Sequence, residues 1–594
     1  MSARGSIANN KAQFDKALDF YTKAQAVMEG TSEAEHLCKI YVLMGNVHRR
    51  KGNPDEAIEY YNKALEFGKL RTDKELTANA LMNLANVLGI DSAKYDEASN
   101  LYQEALAIFQ ELDDTQGIAN VYGNLGGLCL RRQETSQGIQ YLESSIELKQ
   151  QLGDLRGLAD SCGNLGSAYL QADRNEAALN MHVLAGGIYS QLGDLYGLTT
   201  TFLNIGSVKA NLQENQQAID SYNQALQIAQ SIGNPGMVGK AYEGLGFIYE
   251  RMADWRRATE IYEQAVISFE RGRRLEDVAN MYARLGDIHL ENGNTPDAIT
   301  YYDHATTAYA KLDDIFNRRR TLAELYHIYF EKEDWDNVAR TTESLLEIAK
   351  QLSDTSAIAE LSVAMGAYHM ERGIARNAIP YFEQALDAYR QIKGDERIAQ
   401  ALLDLGISHL GSDGEDQAIL YLAEALELCS NTDDLTQLGH VYNNLGLAYS
   451  QKGELQNAIN SYSLSLDLKK QQEDLQGISD VLANMGVAYR DAEQRDDAIA
   501  HFKKAVVLYN QLEDYGPLAS TLAETGTLLQ HFGDPKEARA YLAQAWLIFG
   551  HLEDTASQNQ LIQQLIQLLD TRENVLAYLN QGMGKGGFLP DVNG

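Results

Sequence analysis

The feature that most constrains this chain is a period of 40 residues. A small residue, preceded in nearly every copy by Leu, Met or Ile, recurs at Gly45, Ala85, Gly126, Gly166, Gly206, Gly246, Gly286, Gly366, Gly406, Gly446, Gly486 and Gly526, with Tyr326 standing in the one remaining place. Every step is 40 except one of 41, where the turn before Tyr95 holds an extra residue. A second small position follows twelve or thirteen residues later (Ala57, Ala98, Gly138 and on to Ala538), and a third completes each copy (Ala64, Ala105, Ser145 and on to Ala545). Three small-residue ladders in register mark three places where helices approach closely. Within one copy, Leu435, Leu438, Tyr442, Leu445 and Tyr449 keep the three- and four-residue spacing of an apolar helix face, Gly453 interrupts it, and Ala458, Tyr462, Ser465 and Leu468 begin a second. Such a hairpin cannot bury its own stripe, so it must stack on copies of itself.

Leu445, Gly446, Tyr449, Ala458, Tyr462 and Ser465 fill the places of the packing signature of the tetratricopeptide repeat (TPR) family, and the chain resembles that family over almost its whole length. The 40-residue period and turns such as Gly153-Asp154-Leu155-Arg156-Gly157 are similar to the longer repeats of Pins/LGN-type scaffolds, rapsyn and kinesin light chains. The resemblance implies an all-α fold, a right-handed TPR superhelix (α-solenoid) of antiparallel helix pairs. We expect a partial N-terminal repeat over 1–29, thirteen hairpins over 30–554, capping helices over 555–581 and a flexible tail over 582–594. Gly52, Gly293, Gly373, Gly453 and Gly533 fall where a first helix ends in a left-handed cap, and Pro54, Pro296 and Pro535 open second helices. The copy containing Tyr326 also has Val338, Thr342 and Leu345 at its small and aromatic places, read either as mutually compensating changes or as a hinge between two binding segments.

In TPR folds the residue two before the glycine faces the concave groove. That place holds Asn83, Asn124, Asn164, Asn204, Asn444 and Asn484, and the resemblance implies peptide capture there. A carboxamide both donates and accepts, so a ladder of them can pair with the main chain of an extended peptide whatever its sequence. The structural alternative is bridging to a neighbouring helix. Lys240, Arg284 and Arg320, in three adjoining copies, form an expected cationic cluster for a carboxylate, with pairing to local Asp and Glu as the alternative.

Composition narrows the partners. With 83 Asp and Glu against 50 Lys and Arg, the formal charge of -33 disfavours nucleic acid and anionic membranes. No apolar run is long enough for membrane insertion. Cys38, Cys129, Cys162 and Cys429 have no metal-ligand spacing and read as reduced thiols, so we expect a soluble, cytoplasmic protein. No catalytic motif stands in a fitting context: Gly582, Gly584 and Gly587 spell G-x-G-x-x-G, but after a helix rather than a strand, and His440 with Cys429 lacks any sign of a held base. The expected function is a non-enzymatic scaffold or adaptor without cofactor, binding a protein or peptide in its groove. The alternatives are a self-assembling solenoid, homo-oligomeric through its faces or ends, and a regulatory sensor that passes a change of superhelix pitch to a separate effector.

Overall fold

The computed structural model describes residues 14–28, 35–51, 53–70, 73–430, 434–532 and 534–583. Among them are twenty-nine α-helices, one short 3-10 turn and no strand. Helices alternate and pack as antiparallel pairs, as Glu35–Lys51 with Pro54–Leu70 and Tyr515–Phe532 with Pro535–His551, and within each compact unit one pair packs on the next. The chain is an all-α solenoid, divided into two compact units, 1–321 and 322–594. Phe14–Met28 precedes the first pair; Thr555–Leu569 and Arg572–Met583 follow the last. The final helix runs two residues beyond the boundary expected at 581, and the rest of the expected tail, like Gly52 and Gly533, lies outside the described residues.

The ladders are where the two helices of a pair touch. At Gly446 an added Cβ would stand 2.6 Å from the ring of Tyr462, sixteen residues on, and the same approach joins Gly246 to Tyr262 and Gly486 to Phe502. Only a residue without a side chain lets the ring lie against the opposing backbone, and the buried ring then supplies much of the apolar area of the pair. The copy at Tyr326 exchanges the two sizes. Its first helix carries Tyr326, stacked on Phe330 at 6.0 Å, and the register position of the ring carries the buried Thr342.

Turns repeat every 20 residues. Gly293, Gly373 and Gly453 have φ of 72°, 71° and 85°, as left-handed caps require. The same conformation also occurs at residues with side chains, among them Asp113, Gln133, Ala253 and Glu333. The strain is offset by hydrogen bonding: Asp114 N–H reaches Phe109 C=O at 2.9 Å and Glu134 N–H reaches Cys129 C=O at 2.9 Å, closing the ends of both helix types. Asp then opens the next helix; Asp154 accepts from Gly157 N–H at 2.9 Å and Asp474 from Gly477 N–H at 2.9 Å. The capping carboxyl folds over Gly157 so closely that a Cβ there would collide with it, which explains the G-D-x-x-G turn. The extra residue before Tyr95 is absorbed by the 3-10 turn Ser92–Lys94.

Candidate peptide groove

Consecutive first helices touch one another, as Leu195–Asn211 touches Pro235–Arg251, whereas no comparable packing joins the described second helices. Within each compact unit the first helices therefore line the crowded, inner side of the stack, and positions that repeat along them share a face.

The asparagines of the ladder, four in the first unit and two in the second, stand in two chemical states. Asn124, Asn164 and Asn204 have no hydrogen-bond partner among the described residues, and all three reach solvent. Asn83 instead donates to Asn79 C=O of its own helix at 2.8 Å, and Asn444 donates to His440 C=O at 2.9 Å. Asn484 bridges to Asn443 of the preceding copy at 3.2 Å. Three successive carboxamides are thus open to a ligand, while three serve their own chain. The ladder position also holds residues that the asparagine pattern passes over: Gly244, and Asp404, whose carboxyl burial pushes up to about 6 against an opposing hydrogen bond from Gln400 at 2.9 Å.

Beside Asn204 the face deepens into a cavity of about 610 Å3. Three first helices contribute to it: Leu203 and Asn204 from Leu195–Asn211; Lys240, Glu243, Gly244 and Phe247 from Pro235–Arg251; Asn280, Met281 and Arg284 from Leu275–Glu291. The rings of Tyr222 and Tyr262 come through from the second helices. Asn204, Lys240 and Arg284 are therefore brought together as one site, whereas Arg320 belongs to the next helix and Asn444 and Asn484 to the other compact unit.

The cations of this site are neutralised within the chain. Lys240 pairs with Glu243 at 2.7 Å and with Asp277 at 2.8 Å. Burial pulls its ammonium pKa down, but the hydrogen bonds to Asp277 and Glu243 outweigh that and hold it above the usual lysine value. Arg284 grips Glu250 with two hydrogen bonds, the one from Nε at 2.9 Å, and Tyr262 donates to the same carboxylate at 2.9 Å. Arg320 approaches Asp287 at 3.6 Å. A ligand carboxylate at these residues has to compete with carboxylates already in place. The aromatic residues Tyr222 and Phe247 escaped sequence reading; the signal available for them was Gly244, a second glycine where the preceding copies carry Asn.

The four cysteines are buried. Burial pushes the Cys38, Cys129 and Cys162 thiols up to about 11, away from the thiolate form. Cys429 lies 3.3 Å from Gln437, while His440 lies 3.2 Å from the buried Lys469 ammonium. Among the described residues no group of three or more His, Cys, Asp or Glu is placed to hold a metal ion, and no helix is long and apolar enough to cross a membrane.

Comparison with known proteins agrees with this architecture. A tetratricopeptide repeat family model matches residues 1–69, 36–111, 76–151, 197–271, 357–431 and 477–545, together more than half of the chain, and a second model of that name matches 439–472. A model of the soluble NSF attachment protein matches 237–378. A TPR repeat-containing protein of Dictyostelium discoideum is 25% identical over 150 residues, which cover 24% of this chain and 9% of that protein's length. Among solved structures, the apo form of RapI is 19% identical with a TM-score of 0.39, covering 47% of this chain and 99% of that one. A Rap protein complexed with Competence and Sporulation Factor is 15% identical with a TM-score of 0.39, covering 61% and 99%.

Proposed function

The chain belongs to the tetratricopeptide repeat family, and from that premise we propose that it is a non-enzymatic interaction scaffold whose first-helix face holds an extended peptide segment of a protein partner. The observation that carries this reading is the run of unpaired carboxamides at Asn124, Asn164 and Asn204, one per copy, leading to the cavity beside Asn204. An extended chain needs donors and acceptors at regular intervals, and carboxamides supply both without demanding a particular sequence. The large excess of acidic residues favours neutral or basic segments.

The test is selection from a displayed random peptide library on the immobilised protein, followed by affinity measurement. Replacing Asn124, Asn164 and Asn204 together by Ala is expected to weaken the selected peptides about tenfold or more, while circular dichroism stays unchanged. Equal affinity for the triple variant removes the ladder from the reading.

Self-association is a second reading, favoured by one patch. Residues 177–193 contain no Asp, Glu, Lys or Arg, and Val183, Leu184, Leu192, Leu195 and Tyr196 are exposed beside one another in sequence. In so acidic a chain, a stretch whose one acid, Asp194, is paired with Arg156 is where two copies repel each other least. Light scattering across concentration separates the two, since Leu184→Glu with Tyr196→Glu abolishes a dimer formed through this patch; a monomer at every concentration excludes it.

A further inference from the structure

We infer that the cavity beside Asn204 is the specificity pocket of the groove and accepts one large uncharged side chain, aromatic or long aliphatic, from the bound segment. The inference rests on the groove reading above and adds what the segment must carry.

The pocket exists because of Gly244. In the preceding copies the same position carries Asn164 and Asn204, whereas at Gly244 a Cβ would run into the ring of Tyr222. The missing side chain lets that ring come up to the inner face, where Phe247, 40% exposed, stands beside it. Leu203, Met281 and Tyr262 complete the apolar lining. Phe247, with the Arg251 guanidinium 5.8 Å from its ring centre, still presents apolar surface next to other aromatic rings, and the open depression of about 610 Å3 has room for one side chain.

Charge decides between ligand classes. Both cations at the rim already hold carboxylates, Lys240 with Glu243 and Asp277, Arg284 with Glu250. A carboxylate entering the pocket must displace one of these, and an ammonium meets three acids already balanced by three cations, since Arg274 also holds Asp277. Either exchange leaves a partly buried charge without its partner. An uncharged side chain disturbs neither pair and covers the rings. Asn204 at the mouth and the free Asn164 and Asn124 at successive steps then hold the main chain on one side of the anchor. Removing the anchor from a bound segment is expected to weaken it about 10- to 100-fold.

The test uses the full chain with 13C-methyl methionine, the Met281 signal being assigned from Met281→Leu. The probes are N-acetyl-L-tryptophanamide, N-acetyl-L-leucinamide, N-acetyl-L-alaninamide and N-acetyl-L-aspartic acid α-amide. Saturable shifts of Met281 with the Trp and Leu probes, and none with the Ala and Asp probes, are expected. Phe247→Ser, at an exposed position that leaves the helix intact, is expected to weaken the Trp probe about tenfold, whereas Leu464→Ser, at an exposed position of the other compact unit, leaves it unchanged. No shift with any probe, equal shifts with the Asp probe, or an unaffected Phe247→Ser overturns the pocket. That failure leaves the ladder untouched, because the ladder is judged on selected peptides and the pocket on single residues that cannot span it.

Discussion

His182 occupies the place where neighbouring copies put Tyr222, Tyr262 or Tyr302, pressed against Gly166 with 1% of its surface exposed. Among the described residues neither ring nitrogen has a hydrogen-bond partner, whereas Tyr302 in the same register donates to Asp287 at 2.8 Å. Burial drives the imidazole pKa down to about 4, so only the neutral ring fits the core. A folded-state value below the unfolded one means that this stability is complete above about pH 6.5 and is lost as pH falls toward 4, by up to about 3 kcal/mol. His182→Tyr is expected to raise the melting temperature more at pH 5 than at pH 8; parallel curves for the two proteins would refute the assignment. Asp404 has the opposite sign. Its raised pKa makes the carboxylate a burden above about pH 6 that disappears below about 4. Asp404→Asn, which supplies the ladder residue, is expected to add about 1–2 kcal/mol at pH 7 and nothing at pH 3.5 in urea titrations, the half-buried position being partly screened. Neither residue stood out in the sequence, because a period drawn through glycines does not show which ring each glycine meets, or which ladder position is dry.

At the scale of the helix pair, the glycine ladder was legible because the distance between helices dictates residue size. The turns were legible only where they carry glycine: Gly293, Gly373 and Gly453 announce the left-handed cap, while Ala253 and Glu333 adopt it under the hydrogen bonds of the turn. Two substitutions of one kind separate close approach from helix propensity. Gly446→Ala places a methyl 2.6 Å from the Tyr462 ring, and overpacking there outweighs the gain in propensity, for a net loss of about 1–2 kcal/mol. Gly187→Ala, within Asn175–Leu192, meets nothing within 4 Å and is expected to gain about 0.5–1 kcal/mol. Denaturant midpoints at constant slope decide both, and a stabilised Gly446→Ala would show that the ring can yield.

Across the molecule, the ladder and the pocket differ in how far the sequence reveals them. A ladder is one residue type at one period, so Asn124, Asn164 and Asn204 announce themselves, but the sequence does not show that Asn83 and Asn444 turn back onto their own helices. The pocket draws different residue types from three copies, and no period contains it. Ionic strength tests the resulting picture as a whole. With 83 acids against 50 bases, adjacent copies repel one another, and the screening length of roughly 10 Å at 0.1 M salt matches the spacing of packed helices, so repulsion acts mainly between neighbours. Raising NaCl from 20 mM to 0.5 M is therefore expected to increase the melting temperature, the relief of repulsion exceeding the weakening of surface ion pairs. Ligand binding should respond differently. A segment held by carboxamides and an uncharged anchor keeps its affinity within about threefold over that range, whereas a segment held by its own carboxylates at Lys240 and Arg284 loses affinity steeply as salt screens the attraction. Titration of one selected peptide at both salt concentrations distinguishes these outcomes, and a steep loss would return the cations to the centre of the site.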